Sequence, residues 1–538
     1  MRPNRSSNDW FKGAFILTLG ALITKILSAF YRVPFQNIVG DIGFYIYQQV
    51  YPFYGLALVL STYGFPVIIS KHFTELKEKN QMEKAFRFLA LSYLVLSILG
   101  ILSFLILYFG ASWLANQMDD PSLTLLFRVI SVVFLVFPII SVLRGYFQGI
   151  GNMIPTAVSQ VGEQLIRVMT ILTVAILFTR EGFSLYVIGG GAAFGSVTGG
   201  LVAILILITF FLKETKDANY SIKLRNIQLF YDLGKVIKLL LIQGFAVCIS
   251  SMVIIFIQLA DSLNMLSLLV TNGVELEAAK GLKGVYDRGQ PLIQLGTIVA
   301  TSMSLSLVPV ISSERMKANE NLQGKISFAV QISLIIGAAA TVGLLAIIQP
   351  TNVMLYENQA GSSVLAVLTT VIFFGSVTLT VIAILQGLGF MFFPAIVILL
   401  TFVLKYVLNI LLITKFGPIG AAISTNISMG LCMLLLWWKL AMLVRKPLVS
   451  GVFLLKLTGT SMLMFFILKM YLFVIQPLDQ WFDSNRLFAA IQAFGGVSIG
   501  GILFIFVILR VKMIQSEDLA LLPFGSKLLY FQTRKEKE

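Results

Sequence analysis

Lys25 and Arg32 stand seven residues apart in "TKILSAFYRVPF", at the end of the first apolar run of the chain. Seven residues is almost two helical turns, so the two cations share one helix face, about 10 Å apart. An ammonium at mid-membrane is costly and normally faces an interior cavity rather than lipid. Arg32, near the outer end of the run, admits two readings: it snorkels to the headgroups, or it lines the same cavity. For Lys25, about ten apolar residues from either interface, snorkelling is the poorer of the two readings and the cavity the better.

Three further groups have the types and spacing to work beside them. "GVYDRGQPLIQLG" holds Asp287 and Arg288, followed by Gln290 and Gln294 one turn apart. The pair is either an interfacial loop feature or the head of a wet helix face, and the two glutamines argue for the wet face. "SQVGEQLIRV" holds Glu163 and Arg167 four apart, with Gln160 and Gln164 nearby. That spacing lets the charges pair within one helix, as a structural ion pair or as a gate built on a proton-coupled carboxylate. Lys405 and Lys469 are further candidates for buried cations, and Asp261 reads as a cap near the outer surface.

Among these, Lys25, Arg32, Arg167, Arg288 and Lys405 outnumber Glu163 and Asp287. A cavity of net positive charge attracts phosphate or pyrophosphate and repels organic cations. Catalytic patterns are missing from the sequence. There is no P-loop motif, no nucleophile–base constellation and no metal-ligand spacing, and the single histidine, His72, lies in a charged loop. The expectation is a protein that is not an enzyme and uses no cofactor.

Composition says what positions these residues. Of 538 residues, 57% are hydrophobic and 12% charged, about half the charged fraction of soluble domains. Repeated apolar runs of about 20 residues mark an all-α polytopic membrane protein, since an unpaired backbone cannot face lipid. Fourteen spans are expected, near 13–35, 44–70, 86–110, 123–147, 155–179, 184–212, 236–262, 284–312, 326–349, 361–388, 393–414, 418–443, 451–476 and 487–511. The first run is too long for a cleaved leader and is expected to be retained.

The net charge of +15 resides mainly in loops such as "SKHFTELKEKNQMEK", "KETKDANYSIKLRN" and "ERMKANENLQGK", whereas "NQMDDPS", "YENQAGSS" and "QPLDQWFDSN" are poor in cations. By the positive-inside rule both termini are cytoplasmic. With no soluble basic domain, nucleic acid is not an expected partner. Cys248 and Cys432 lie far apart in apolar runs and read as small core residues.

The chain also repeats itself. "YFQGIGNMIP" at 146–155 returns as "ILQGLGFMFFP" at 384–394, and "FPVIISK" at 65–71 as "VPVISSE" at 308–314. Arg167 and Lys405 hold the same offset from the repeated Gln-Gly pair. The expected organisation is an N-lobe at 1–212, a cytoplasmic connector at 213–235, a C-lobe at 236–444, and spans thirteen and fourteen with a cytoplasmic tail at 445–538. Two pseudo-symmetric six-helix lobes of like orientation are the pattern of parallel-repeat transporters. Pro52 and Pro66 in the second span and Pro291 and Pro309 in the eighth are matched hinge candidates. Gly191, Gly195 and Gly199 form a ridge suited to close helix packing.

The stretches "TKILSAFYRVPFQNIVGDIGFYIYQQVYPFYGLALVLSTYGFPVIISK", "RGYFQGIGNMIPTAVSQVGEQLIRV" and "YDRGQPL" resemble the stage V sporulation protein B group. That group lies in the polysaccharide-transport branch of the multidrug/oligosaccharidyl-lipid/polysaccharide (MOP) exporter superfamily and is similar to bacterial lipid II flippases. The resemblance implies a flippase for undecaprenyl-pyrophosphate-linked sugars, rocking two lobes around a cationic cavity without consuming nucleotide. It implies substrate-binding roles for Lys25 and Arg288, with Arg32 a looser match, and a lipid-tail groove at the last two helices. The chain departs from the lipid II flippases after Pro52, where "YPFYGLALV" has no cation.

The leading reading is therefore translocation of a lipid-linked oligosaccharide or polysaccharide precursor by alternating access across the bacterial cytoplasmic membrane. Its partners are the lipid-linked glycan and the bilayer, with coupling to an ion or to the membrane potential left open. The alternatives are a drug/cation antiporter of the same superfamily, which would need carboxylate-rich walls, and a non-transporting membrane scaffold in envelope or spore assembly, which would need no cavity charges.

Overall fold

The computed structural model describes residues 7–218, 229–298, 322–444, 447–482 and 484–514, with isolated positions between 299 and 321. Pro309 and, except for Ile311, the second copy of the "FPVIISK" motif lie outside the described residues. No described residue forms a strand, and thirteen helical stretches among them are long and apolar enough to cross a membrane.

The thirteen stretches map onto the expected spans through three adjustments. The stretch Ile16–Glu78 is 63 residues, about 95 Å of helix against a hydrocarbon core of about 30 Å, so it must fold back. It does so at Gly40, whose φ of 71° and ψ of −177° leave the helical region. Tyr31 and Tyr47 then meet hydroxyl to hydroxyl at 2.9 Å across this hairpin. Conversely, Leu233–Ser250 and Val253–Thr271 form one bent element. Ser250, Asn264 and Asn272 bond the carbonyls of Met391, Tyr406 and Thr414 in turn, a near-constant register along a single parallel neighbour, Phe392–Phe416. The eighth span starts earlier than expected, as Leu276–Asp287 and Gly289–Gly296, with a local break in the hydrogen-bond ladder at Arg288, whose backbone stays helical.

The internal repeat reaches the backbone. Helix Val133–Gly149 follows a break at Val132, and Val371–Gly387 follows one at Thr370. The next helices begin at Ile154 and Phe392, after glycines with φ of 80° at Gly151 and 85° at Gly389. Every one of these pairs is 238 residues apart, so the two halves share their breaks, turns and helix starts.

The chain packs as two compact units. The first comprises Met1–Ile298 with Gly389–Ser424, and the second Val299–Leu388 with Thr425–Glu538. In the first unit, the glycine ridge of the sixth span serves close packing, as expected, and its partner is the fifth span: a Cβ on Gly199 would lie 2.6 Å from the Glu163 carbonyl oxygen. This close approach sets the height of the helix that carries Glu163 and Arg167. Pro66 follows a π-helical turn, Leu60–Gly64, which makes room for the ring. Ser141 and Arg144 donate to the Leu60 and Ser61 carbonyls there. Cys248 is buried and unbridged. In the second unit, the last two helices, Gly451–Ile475 and Asn485–Arg510, are capped by Ser450 and Ser484 and dock through Gly496 on Ile347 and Arg486 on Glu357. Lys469, expected as a buried cation, is instead exposed beside the Phe465 ring, because its helix face looks outward.

Candidate functional site

The first hairpin and the fifth span build an arginine–tyrosine cluster. Tyr47, Tyr51 and Tyr54 follow each other at helical spacing on the second span, and Tyr31 faces them from the hairpin's other arm. Arg167 reaches in from the fifth span, donating to the Tyr47 hydroxyl at 2.8 Å and the Tyr31 hydroxyl at 3.1 Å. Its guanidinium lies 4.0 Å from the Tyr54 ring centre. Arg32 stacks on Tyr51 at 4.3 Å. A desolvated stack of this kind is worth about 2 kcal/mol, which offsets part of the cost of burying each charge. Both guanidiniums are within 1% of full burial, and neither has a carboxylate partner among the described residues. The Nε of each has no acceptor, and Gln48, Gln160 and Gln164 also carry unpaired polar atoms. Lys25, half-buried on the first span, makes no hydrogen bond or ion pair among the described residues.

Glu163 corrects the expected pairing. Its carboxylate binds Arg144 Nη2 at 2.8 Å, not Arg167 four residues on. Arg144 comes from the fourth span and also donates to Ser159 and Thr62. Helical spacing permits the Glu163–Arg167 pair; the tyrosines on the second span draw Arg167 away and leave Glu163 to its neighbour.

At the head of the eighth span, Arg288 grips Asp41 with two parallel bonds, Nε to Oδ1 at 2.9 Å and Nη2 to Oδ2 at 2.7 Å. Asp287 is held by Lys283, one turn before it, at 2.7 Å. Both residues of the Asp-Arg pair are buried on helix, so the interfacial-loop reading does not apply. Gln290 accepts from Gln258 at 2.6 Å, while Gln294 is half-buried. Pro291 sits in the first turn after the break at Arg288. Pro52 lies within the helix of the second span.

Asp261, expected as an outer cap, is buried at the centre of a second network. Lys405 places its ammonium 2.7 Å from Asp261 and donates also to Asn409, Ser424 and the Ala421 carbonyl. Tyr286 donates to the other Asp261 oxygen at 2.8 Å. Toward the loops, Asp120 accepts from Tyr45 and Tyr186. Lys280 there pairs with Glu277 at 2.7 Å.

The excess positive charge is thus more local than expected. Arg288, Lys405 and Arg144 each have a carboxylate, whereas Lys25, Arg32 and Arg167 have none among the described residues. The partners Asp41, Asp261, Arg144 and the four tyrosines were missed as site residues. Intramembrane position alone would have flagged Arg144 and Asp261; Asp41 carries no such signal. Among the described residues no three His, Cys, Asp or Glu side chains gather as a metal site.

Residues 10–314 match the polysaccharide biosynthesis protein family. The chain belongs to that family. An uncharacterized membrane protein of Bacillus subtilis (strain 168), YabM, is 42% identical over 98% of this chain and 97% of its own length. The lipid II flippase MurJ of the same organism is 28% identical over 59% of this chain and 60% of its own. A solved lipid II flippase MurJ in an inward closed conformation shares the fold, with a TM-score of 0.66 at 17% identity over 93% of this chain and 100% of that one. Its helical fold, with two pseudo-symmetric lobes, is shared with that flippase and with a multidrug resistance MATE family transporter of the MOP superfamily, which matches with a TM-score of 0.63 at 17% identity over 81% of this chain and 99% of that one.

Proposed function

We propose that the protein translocates a lipid-linked oligosaccharide or polysaccharide precursor, of undecaprenyl-pyrophosphate type, across the bacterial cytoplasmic membrane by alternating access. The observation that carries this reading is the buried pair Arg32 and Arg167, without a carboxylate among the described residues and lined by unpaired polar atoms. A cationic, tyrosine-lined cluster suits a polyanionic head group, because a low dielectric strengthens its field. Lys25, on the same hairpin, adds a third cation, and Arg288 a fourth once its own carboxylate is displaced. Gln160, Gln164, Gln290 and Gln294 offer hydrogen bonds suited to sugar hydroxyls, while the apolar tail stays in lipid.

Several features support this over a cation antiporter. The buried carboxylates Glu163, Asp261 and Asp287 are each held by a cation, and Asp120 by two tyrosines, leaving little negative charge to receive an organic cation. In this reading both termini face the cytoplasm, following the cationic loops. Purified protein in liposomes carrying undecaprenyl-pyrophosphate oligosaccharides tests it. Translocation by the native chain, lost in Arg32→Ala with insertion unchanged, is the expected result. Equal rates in protein-free liposomes for every head group tried would refute it.

A further inference from the structure

We infer that Asp41 is a built-in occupant of the Arg288 fork, which a bidentate oxyanion on the substrate displaces, releasing the first hairpin from the eighth span. The inference rests on the flippase reading and assigns within it a role to a residue outside the cationic set. Arg288 engages both oxygens of one carboxylate through two parallel bonds. A guanidinium presents the same fork to phosphate, so Asp41 holds the position that two oxygens of a head group would take. Arg288 is 0% exposed and Asp41 26%. The carboxylate therefore lies on the open side of the fork and covers it.

The carboxylate is also a mechanical joint. Asp41 directly follows the reversal at Gly40, and Gln36 on the other arm of the hairpin donates to its Oδ1 at 2.8 Å. Its backbone presses on the eighth span: a Cβ on Gly284 would collide with the Asp41 carbonyl. Arg288 itself keeps a helical backbone three residues before Pro291, whose missing N–H leaves the Asp287 carbonyl without its helical partner. Hairpin tip and proline-weakened turn are thus joined through one ion pair.

The exchange has a chemical selectivity. Pulling Asp41 away with nothing in its place takes a bidentate carboxylate from a buried guanidinium, which is strongly unfavourable. Replacing it by another pair of oxygens keeps the charge and the bonds, so a phosphate or pyrophosphate ester can open the joint. An uncharged alcohol cannot. The head group is then read twice, by the uncompensated cations of the first hairpin and by its power to evict Asp41.

The test uses full-length protein in nanodiscs, with undecaprenyl pyrophosphate and undecaprenol as probes. Hydrogen–deuterium exchange is followed over residues 36–43 and 276–288, and binding is titrated in parallel. In the native chain, undecaprenyl pyrophosphate is expected to raise exchange in both segments, and undecaprenol to leave it unchanged. Asp41→Asn should show raised exchange without ligand and bind the pyrophosphate about tenfold tighter, since the competing closed state is removed. Asp41→Glu, which keeps a carboxylate, should stay nearer the native behaviour and controls for misfolding. Equal affinity and equal exchange in the native chain and Asp41→Asn overturn the displacement while leaving the flippase reading intact. No binding of the pyrophosphate by either variant overturns that reading, and this inference with it.

Discussion

Arg167 and Lys405 are counterparts in the internal repeat, 238 residues apart, and each ties the fifth helix of its half to the first. Arg167 bonds Tyr31 of the first hairpin, and Lys405 bonds Asp261 of the seventh span. The position keeps a buried cation in both halves but takes opposite partners: neutral phenols that leave its charge uncompensated, and a carboxylate that cancels it. The repeat has become one charged cluster and one neutral one.

Replacing Arg167 by Lys should therefore be far from conservative. A lysine keeps the charge but has neither the fork that spans two tyrosine hydroxyls nor the plane that stacks on Tyr54. Loss of hydrogen bonds to a charged group predicts about 1.5–3 kcal/mol of destabilisation, read as a lower melting temperature in detergent.

For Lys405, a single Lys405→Met change strands Asp261 and should cost about 3–5 kcal/mol. Adding Asp261→Asn removes the orphaned charge and should recover much of the loss. A double variant no more stable than Lys405→Met would mean that the two residues are not coupled.

The Glu163 pairing is testable by two double-mutant cycles on thermal stability. Glu163→Gln with Arg144→Met should show a coupling above about 0.5 kcal/mol, as contacting pairs do. Glu163→Gln with Arg167→Met should show little. The reverse order would restore the pairing that helical spacing alone suggests.

Gly199→Val should disturb both groups at once. The added side chain meets the Glu163 carbonyl and the Arg167 Cβ, pushing the fifth span off the sixth. Lower expression and a lower melting temperature are expected, whereas a valine at Gly501, where nothing lies within 4 Å, should be tolerated.

Lys25→Ala separates function from stability. With no partner among the described residues to lose, the variant should melt within about 0.5 kcal/mol of the native chain, as changes without a lost contact do. Translocation, if Lys25 serves the head group, should fall to background in reconstituted vesicles.

The sequence by itself determined the class of fold, the spans and the repeat. Hydropathy and glycine or proline punctuation are properties of neighbouring residues, and lipid enforces them strongly enough that Gly151 and Gly389 could be matched from their flanking letters. It also pointed to Lys25, Arg32, Arg167, Arg288 and Lys405 as unusual, since charge in an apolar run is visible one residue at a time. Only the tertiary structure decided which of those charges are cancelled. Asp41 lies 247 residues from Arg288, and Asp261 was read as a surface cap until the seventh span proved longer and its acid faced Lys405. Glu163 found Arg144 on another helix rather than Arg167 on its own. Electrostatic pairing depends on distance in space, which helix packing sets through contacts such as Gly199 on the fifth span, and no local pattern of residues encodes that distance.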